Sequence, residues 1–203
     1  GTACANESVL LSGSINCCVT SGNCSASVVV GSFLPNANDL NATYLPPTDF
    51  VGTISLTLSS DDPLGPCPAV TDSVDVEFYP EAIVNVGEDG TVCMNATIDL
   101  DAQISGGAIS GNWSETVGGQ FSDMNSLQTS YTPPLNYTGT IELSFTSNDP
   151  IGPCPSTMDS LVLEVIPYGD VTPIEDVVVC AGNQVDLPAF LGTVNGTEFV
   201  WTN

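Results

Sequence analysis

Gly52-Thr-Ile-Ser-Leu-Thr-Leu-Ser-Ser-Asp-Asp-Pro-Leu-Gly-Pro-Cys-Pro68 recurs 87 residues later as Gly139-Thr-Ile-Glu-Leu-Ser-Phe-Thr-Ser-Asn-Asp-Pro-Ile-Gly-Pro-Cys-Pro155. The same offset carries Tyr44 onto Tyr131 and Pro80 onto Pro167. Upstream, Gly1-Thr-Ala-Cys4 matches Gly90-Thr-Val-Cys93 at an offset of 89, and Val177-Val-Val-Cys180 opens the pattern a third time. Self-similarity at a fixed period marks a chain assembled from like units. Residues 1–79 read as one repeat that lacks its first strand, 80–167 as a second, and 168–203 as the N-terminal part of a third. Pro80 and Pro167 mark short linkers, and the chain reads as a slice of a longer array.

Within a repeat, apolar residues alternate with a period of two in Thr97–Ile104, Gly139–Phe145 and Ser160–Ile166. That period belongs to strands with one buried face, and Gly, Pro, Asn and Asp clusters separate them at roughly the spacing of a β-sandwich. The expected fold is all-β: tandem immunoglobulin-like or PKD-like sandwiches in an extended array. Trp113 follows Cys93 by twenty residues and Trp201 follows Cys180 by twenty-one. A Trp on the third strand suits the core between two sheets, with carbohydrate stacking as the functional alternative. In the first repeat the matching residue is Cys24, so a local disulfide within Cys17-Cys18-Val-Thr-Ser-Gly-Asn-Cys24 is expected to replace the aromatic.

The 203 residues include 24 Asp and Glu but no Lys, Arg or His, for a formal net charge of −24. The hydrophobic fraction of 42% and 7 Phe are enough to fill cores, so the chain is not an acidic disordered tail. Without Arg or Lys nothing grips phosphate, and nucleic acid is excluded as a partner. A catalytic His or Schiff-base Lys cannot be built. No apolar run approaches the ~20 residues of a membrane span, and no direct membrane insertion is expected. Carboxylate chemistry remains, and an acid–nucleophile pair would need a cleft that small sandwiches seldom provide. The expectation is a non-enzyme.

Eight cysteines without a reducing C-x-x-C motif point to an oxidising, extracellular setting. Cys4, Cys93 and Cys180 share one repeat position, and Cys67 and Cys154 another. Pairing within each repeat would give Cys4–Cys67 and Cys93–Cys154. Yet the first position lies at the pole where the chain leaves a sandwich and the second in the last loop, at the opposite pole. Bridged Cα atoms must lie within about 7 Å, whereas an eight-residue strand spans about 26 Å. This favours an inter-domain Cys4–Cys154 bridge, with Cys93 and Cys180 awaiting partners beyond Asn203. Intra-domain pairing stays open, and metal-bound thiols are a third reading.

Several segments resemble the repeats of giant cell-surface proteins of Bacteroidota: Thr91-Val-Cys93, Ser110-Gly-Asn-Trp113, Leu127 to Pro134 around Tyr131, and Ser147-Asn-Asp-Pro-Ile-Gly-Pro-Cys-Pro155. Those repeats are PKD-like or Ig-like and occur in gliding-motility adhesins of the SprB kind. The stretches Val178–Gly182 and Phe199–Asn203 are similar to a second repeat type of the same proteins. The resemblance implies type IX secretion, a bacterial cell-surface location, and stalk repeats serving adhesion or gliding. The implied partners are neighbouring repeats of the same chain and an external surface or polysaccharide. It also implies O-glycosylation at Ser73 and Ser160, within Asp72-Ser73-Val74 and Asp159-Ser160-Leu161.

Oxygen-rich acidic clusters select calcium. Asp61, Asp62 and Asp149 fall in the last loops, Glu81, Glu88 and Asp89 after the first linker, and Asp170 after the second. A calcium ion there would stiffen the string. No Asp-x-Asp-x-Asp-Gly loop is present, and a solvated acidic coat is the alternative. Seven Asn-x-Ser/Thr sequons, at Asn6, Asn23, Asn41, Asn95, Asn112, Asn136 and Asn195, read mostly as turns and strand ends. The competing function is a calcium-dependent glycan- or protein-binding module, centred on the cysteine-rich loop of the first repeat.

Overall fold

The computed structural model describes residues 1–16, 19–28, 30–63, 66, 68–169, 175–184 and 192. All regular structure among them is β. Strands β1 (Thr2–Cys4), β7 (Thr71–Tyr79), β6 (Gly52–Ser60) and β3 (Gly22–Ala26) form one sheet in that order. Facing it is a sheet of β2 (Val9–Leu10), β5 (Thr43–Leu45) and β4 (Ser32–Leu34). The second repeat rebuilds both. Its first sheet runs β9 (Gly90–Cys93), β16 (Met158–Ile166), β15 (Gly139–Ser147), β12 (Gly111–Glu115), and its second β10 (Ile98–Asp101), β14 (Gln128–Thr132), β13 (Gln120–Phe121). In each repeat the first edge strand runs parallel to the last: Cys4 sits opposite Tyr79, and Cys93 opposite Ile166. The fold is an immunoglobulin-like β-sandwich, made twice.

The register also repeats. Cys24 faces Leu58 across β3 and β6, while Trp113 faces Phe145 across β12 and β15. Trp113 is fully buried, T-stacked on Phe145 at 5.3 Å, and donates its indole N–H to the Ser126 carbonyl at 3.1 Å. It is a core residue; Trp201 lies outside the described residues. Tyr44 and Tyr131 occupy matching core centres.

One feature departs from the sequence pattern. Thr97–Ile104 is not one strand: β10 pairs with β14, and the chain then switches sheets into β11 (Gln103–Gly106), which pairs with β8 (Ala82–Asn85). Alternation continues through the buried Ala102, whose N–H bonds to the Leu127 carbonyl, so the switch leaves no mark in the pattern. Cys24 pairs with no cysteine among the described residues, and the partners expected for it, Cys17 and Cys18, lie outside them; its thiol is buried, 3.9 Å from the Asp39 carbonyl oxygen. Burial first, then the Asp39 charge, pushes its pKa up, as suits a small apolar filler. Cys17, Cys18 and Cys67 lie outside the described residues. The third repeat lies largely outside them too, and the residues described beyond Ile166 carry no strand.

Candidate functional site: the junction between the sandwiches

Two residues, Pro80 and Glu81, separate β7 from β8. A linker this short holds the end of β1 and β7 against the β15–β16 loop. Cys4 and Cys154 are joined there by a disulfide across 150 residues of sequence, with Cα atoms 5.3 Å apart. Both are buried. The bridge links one sandwich to the next, as the opposite-pole geometry requires.

Each cysteine is placed by its local backbone. After Cys4 the chain turns at once: the Glu7 N–H bonds the Cys4 carbonyl at 3.0 Å, and the Glu7 carboxylate accepts the Cys4 N–H at 3.0 Å. The third turn residue, Asn6, is left-handed at φ 64°. The second repeat has the same turn at Cys93, with Asn95 at φ 63° and the Ala96 N–H on the Cys93 carbonyl. It occurs again at Cys180, with Gly182 at φ 91° and the Asn183 N–H on the Cys180 carbonyl. Asn and Gly are the residues that tolerate this conformation. The same turn thus follows all three cysteines.

The facing loop is shaped by Asn148, whose side-chain oxygen accepts the N–H groups of Ile109 and Ser110 at 3.0 and 2.9 Å. Around it the linker is gripped by backbone. The Gly107 N–H donates to the Glu81 carbonyl at 2.9 Å, and the Thr157 hydroxyl to the Ala82 carbonyl at 3.0 Å. A Cβ on Gly107 would lie 2.5 Å from the Pro80 oxygen, and one on Gly152 (φ 109°) 2.5 Å from the Tyr79 ring. Gly107, Tyr79 and Glu7 were not singled out by motif reading, and Gly152 entered it only as part of the repeated Asp-Pro-Ile-Gly-Pro-Cys-Pro segment. The signal that could have found them is their place beside the repeated cysteines.

The acidic residues do not converge. Among the described residues no group of three His, Cys, Asp or Glu could hold a metal ion. Asp61 accepts the Ser21 hydroxyl and donates its N–H to the Ser21 carbonyl, pinning its loop as Asn148 pins the equivalent one. Asp89 accepts the Val162 N–H at 2.7 Å. Asp62, Glu81, Glu88 and Asp149 are exposed, and Asp170 lies outside the described residues. Hydrogen bonding to the backbone and to Ser, which spacing cannot reveal, occupies two of the candidate acids, Asp61 and Asp89. Glu81 and Glu7 do line one small cleft with Asn6, Pro153, Pro155 and Thr157 beside the disulfide.

Ser73 and Ser160 are exposed at matching places on β7 and β16, each donating its N–H to the preceding Asp carboxylate at 2.9 Å. Of the sequons, Asn6 and Asn95 are turn residues whose amides are engaged. Asn6 pairs with Asp49 at 2.8 and 3.0 Å, and Asn95 with Asn136 at 2.7 and 3.2 Å. Cys93 and Cys180 are exposed and unpaired among the described residues. No helix of the described residues is long and apolar enough to cross a membrane.

No family model and no curated protein matches this chain. Among solved structures it is similar to domains 4 and 5 of the S-layer protein SbsC at 11% identity and TM-score 0.33, over 71% of this chain and 70% of that one. Fibronectin(III)-like modules of Clostridium thermocellum CbhA align at 13% identity and TM-score 0.31, over 82% and 89%. Human CDH23 EC21-23 aligns at 12% and 0.35, over 82% and 72%.

Proposed function

We propose that the chain is a run of structural repeats from a secreted surface adhesin or filament, in which each sandwich is covalently stapled to the next. The observation that carries this reading is the Cys4–Cys154 bridge together with the repetition of its parts. Cys93 stands opposite Ile166 as Cys4 stands opposite Tyr79, and the same turn follows both. A domain that staples itself stabilises its own fold; a domain that staples its neighbour restrains the angle between them, which serves a stalk. Repeats 1–79, 80–167 and the start of a third at 168 are the units of this array. The sequence resemblance to gliding-motility adhesins supports a bacterial cell-surface location, type IX export and contact with an external surface or polysaccharide. Ser73 and Ser160 are the O-glycan acceptors of this reading.

Small-angle X-ray scattering of the chain and of a Cys4→Ser/Cys154→Ser variant tests the restraint. The stalk reading expects a broader distribution of maximum dimension in the variant, with each sandwich still folded. Identical scattering curves would remove it.

A further inference from the structure

The last loop of each sandwich contains an Asp–Pro bond, Asp62–Pro63 in the first and Asp149–Pro150 in the second. The residue before each Asp is placed alike: the Asp61 N–H donates to the Ser21 carbonyl at 3.0 Å, and the Asn148 N–H to the Ser110 carbonyl at 2.8 Å. What that residue offers its neighbour differs. The Asp61 carboxylate accepts the Ser21 hydroxyl and, when ionised, has no proton to give. Asn148 accepts the Ile109 and Ser110 N–H groups on its side-chain oxygen, which fixes the orientation of the amide. Its Nδ2 is thereby turned to the next peptide, where it donates at 2.9 Å to the Asp149 carbonyl oxygen. That carbonyl belongs to the Asp149–Pro150 bond.

An Asp–Pro bond is suited to attack by its own side chain. Proline lacks the N–H through which other Asp–X peptides close to a succinimide instead, and its nitrogen leaves as a secondary amine once protonated. The Asp carboxylate is then an intramolecular nucleophile, already close to the carbonyl carbon. Pro150 is buried over Gly107, whereas Asp149 is exposed and its carboxylate accepts no hydrogen bond among the described residues. The proline side of the bond is held and the carboxylate is free to turn. A donor about 2.7–3.1 Å from an oxygen that gains charge lowers the barrier to such an attack.

We propose that Asp149–Pro150 is a self-cleaving bond and that Asn148 supplies the donor that promotes it. One carboxylate oxygen of Asp149 bonds to its own carbonyl carbon, and the carbonyl oxygen takes negative charge against Asn148 Nδ2. The C–N bond to Pro150 breaks as a proton from water reaches the nitrogen. The product is a cyclic anhydride, which one water opens to leave Asp149 as a new C-terminus and Pro150 as a new N-terminal amine. Water is the only co-reactant. The Cys4–Cys154 bridge spans the break, so the two pieces stay joined until it is reduced. The inference does not depend on the surface role.

The test incubates the full chain at about pH 5, where carboxylates are mostly ionised, and reads the reduced protein by intact mass. We expect pieces 1–149 and 150–203, formed about tenfold or more faster than any cut at Asp62–Pro63. Urea dismantles the loop and is expected to bring the two bonds to similar rates. Asn148→Asp keeps an acceptor for the Ile109 and Ser110 N–H groups but has no proton to donate, and is expected to slow the cut about tenfold. Asp149→Asn removes the nucleophile and is expected to abolish it. Equal cutting of the two bonds in the folded protein would overturn the proposal. So would a cut indifferent to Asn148→Asp, or no cut at Asp149–Pro150 over days of incubation.

Discussion

Single residues set how closely the sheets approach. Tyr131 is fully buried over Gly119, where an added Cβ would lie 2.1 Å from the phenol oxygen and 2.7 Å from the Thr132 carbonyl. Gly31 meets Tyr44 in the same way, at 2.0 Å. Gly119→Ala is therefore expected to cost about 1–3 kcal/mol, read as a lower midpoint in urea with an unchanged slope. Both phenol oxygens are buried without a hydrogen-bond partner among the described residues. Burial, and after it the charge of Glu115, pushes Tyr131 from 10.0 up to about 12. A raised value means that the folded state holds the proton more tightly than the unfolded chain does. This contribution is complete below pH 10 and is lost as the pH climbs through about 12. Alkaline unfolding followed by circular dichroism should thus weaken the protein over that window, and Tyr131→Phe should flatten the loss while leaving stability at pH 7 unchanged or higher. A Tyr131→Phe protein as alkali-sensitive as the parent would contradict this. Tyr44 and Tyr131 were visible in the sequence as a repeated pair; their orphaned hydroxyls were not, because only packing decides what a phenol meets.

Elements place the junction. The long strands β15 and β16 were legible by their alternation, and β6 because it repeats the Gly-Thr start of β15. β8 and the β10–β11 switch were not. Four residues of Ala-Ile-Val-Asn are too few to show a period, and a strand that changes sheets can keep its alternation intact. The bridge between repeats was legible because pole-to-pole distance separates the two pairings. The calcium reading failed to find a described cluster, because a loop-pinning Asp and a ligand Asp look alike in sequence. Asn148 makes that pinning role testable. Asn148→Ala removes the acceptor of two loop N–H groups, and a loss of about 1–3 kcal/mol in chemical denaturation is expected. Gly107→Ala acts at the linker instead. Its Cβ would press on Pro80 and Pro150. Faster reduction of the Cys4–Cys154 bridge by a small thiol is the expected outcome, and a reduction rate equal to the parent's would remove the linker's grip as its cause.

The whole molecule carries 24 acidic side chains and no basic one. Self-repulsion of that kind weakens a compact state and is screened within about 10 Å at 0.1 M salt. Raising sodium chloride from about 10 mM to 0.5 M should therefore raise the melting temperature. Magnesium and calcium at equal ionic strength should act alike if the acids form a coat, whereas a calcium-specific, saturable rise would establish a bound ion. The central claim is that the disulfide joins neighbouring sandwiches. It is tested most directly by a peptide map of the unreduced protein, cut at Asp and Glu because the chain offers no Lys or Arg. The account predicts one linked peptide containing Cys4 and Cys154, lost on reduction. A peptide linking Cys4 to Cys67, or Cys93 to Cys154, would mean that each sandwich staples itself, and would contradict it.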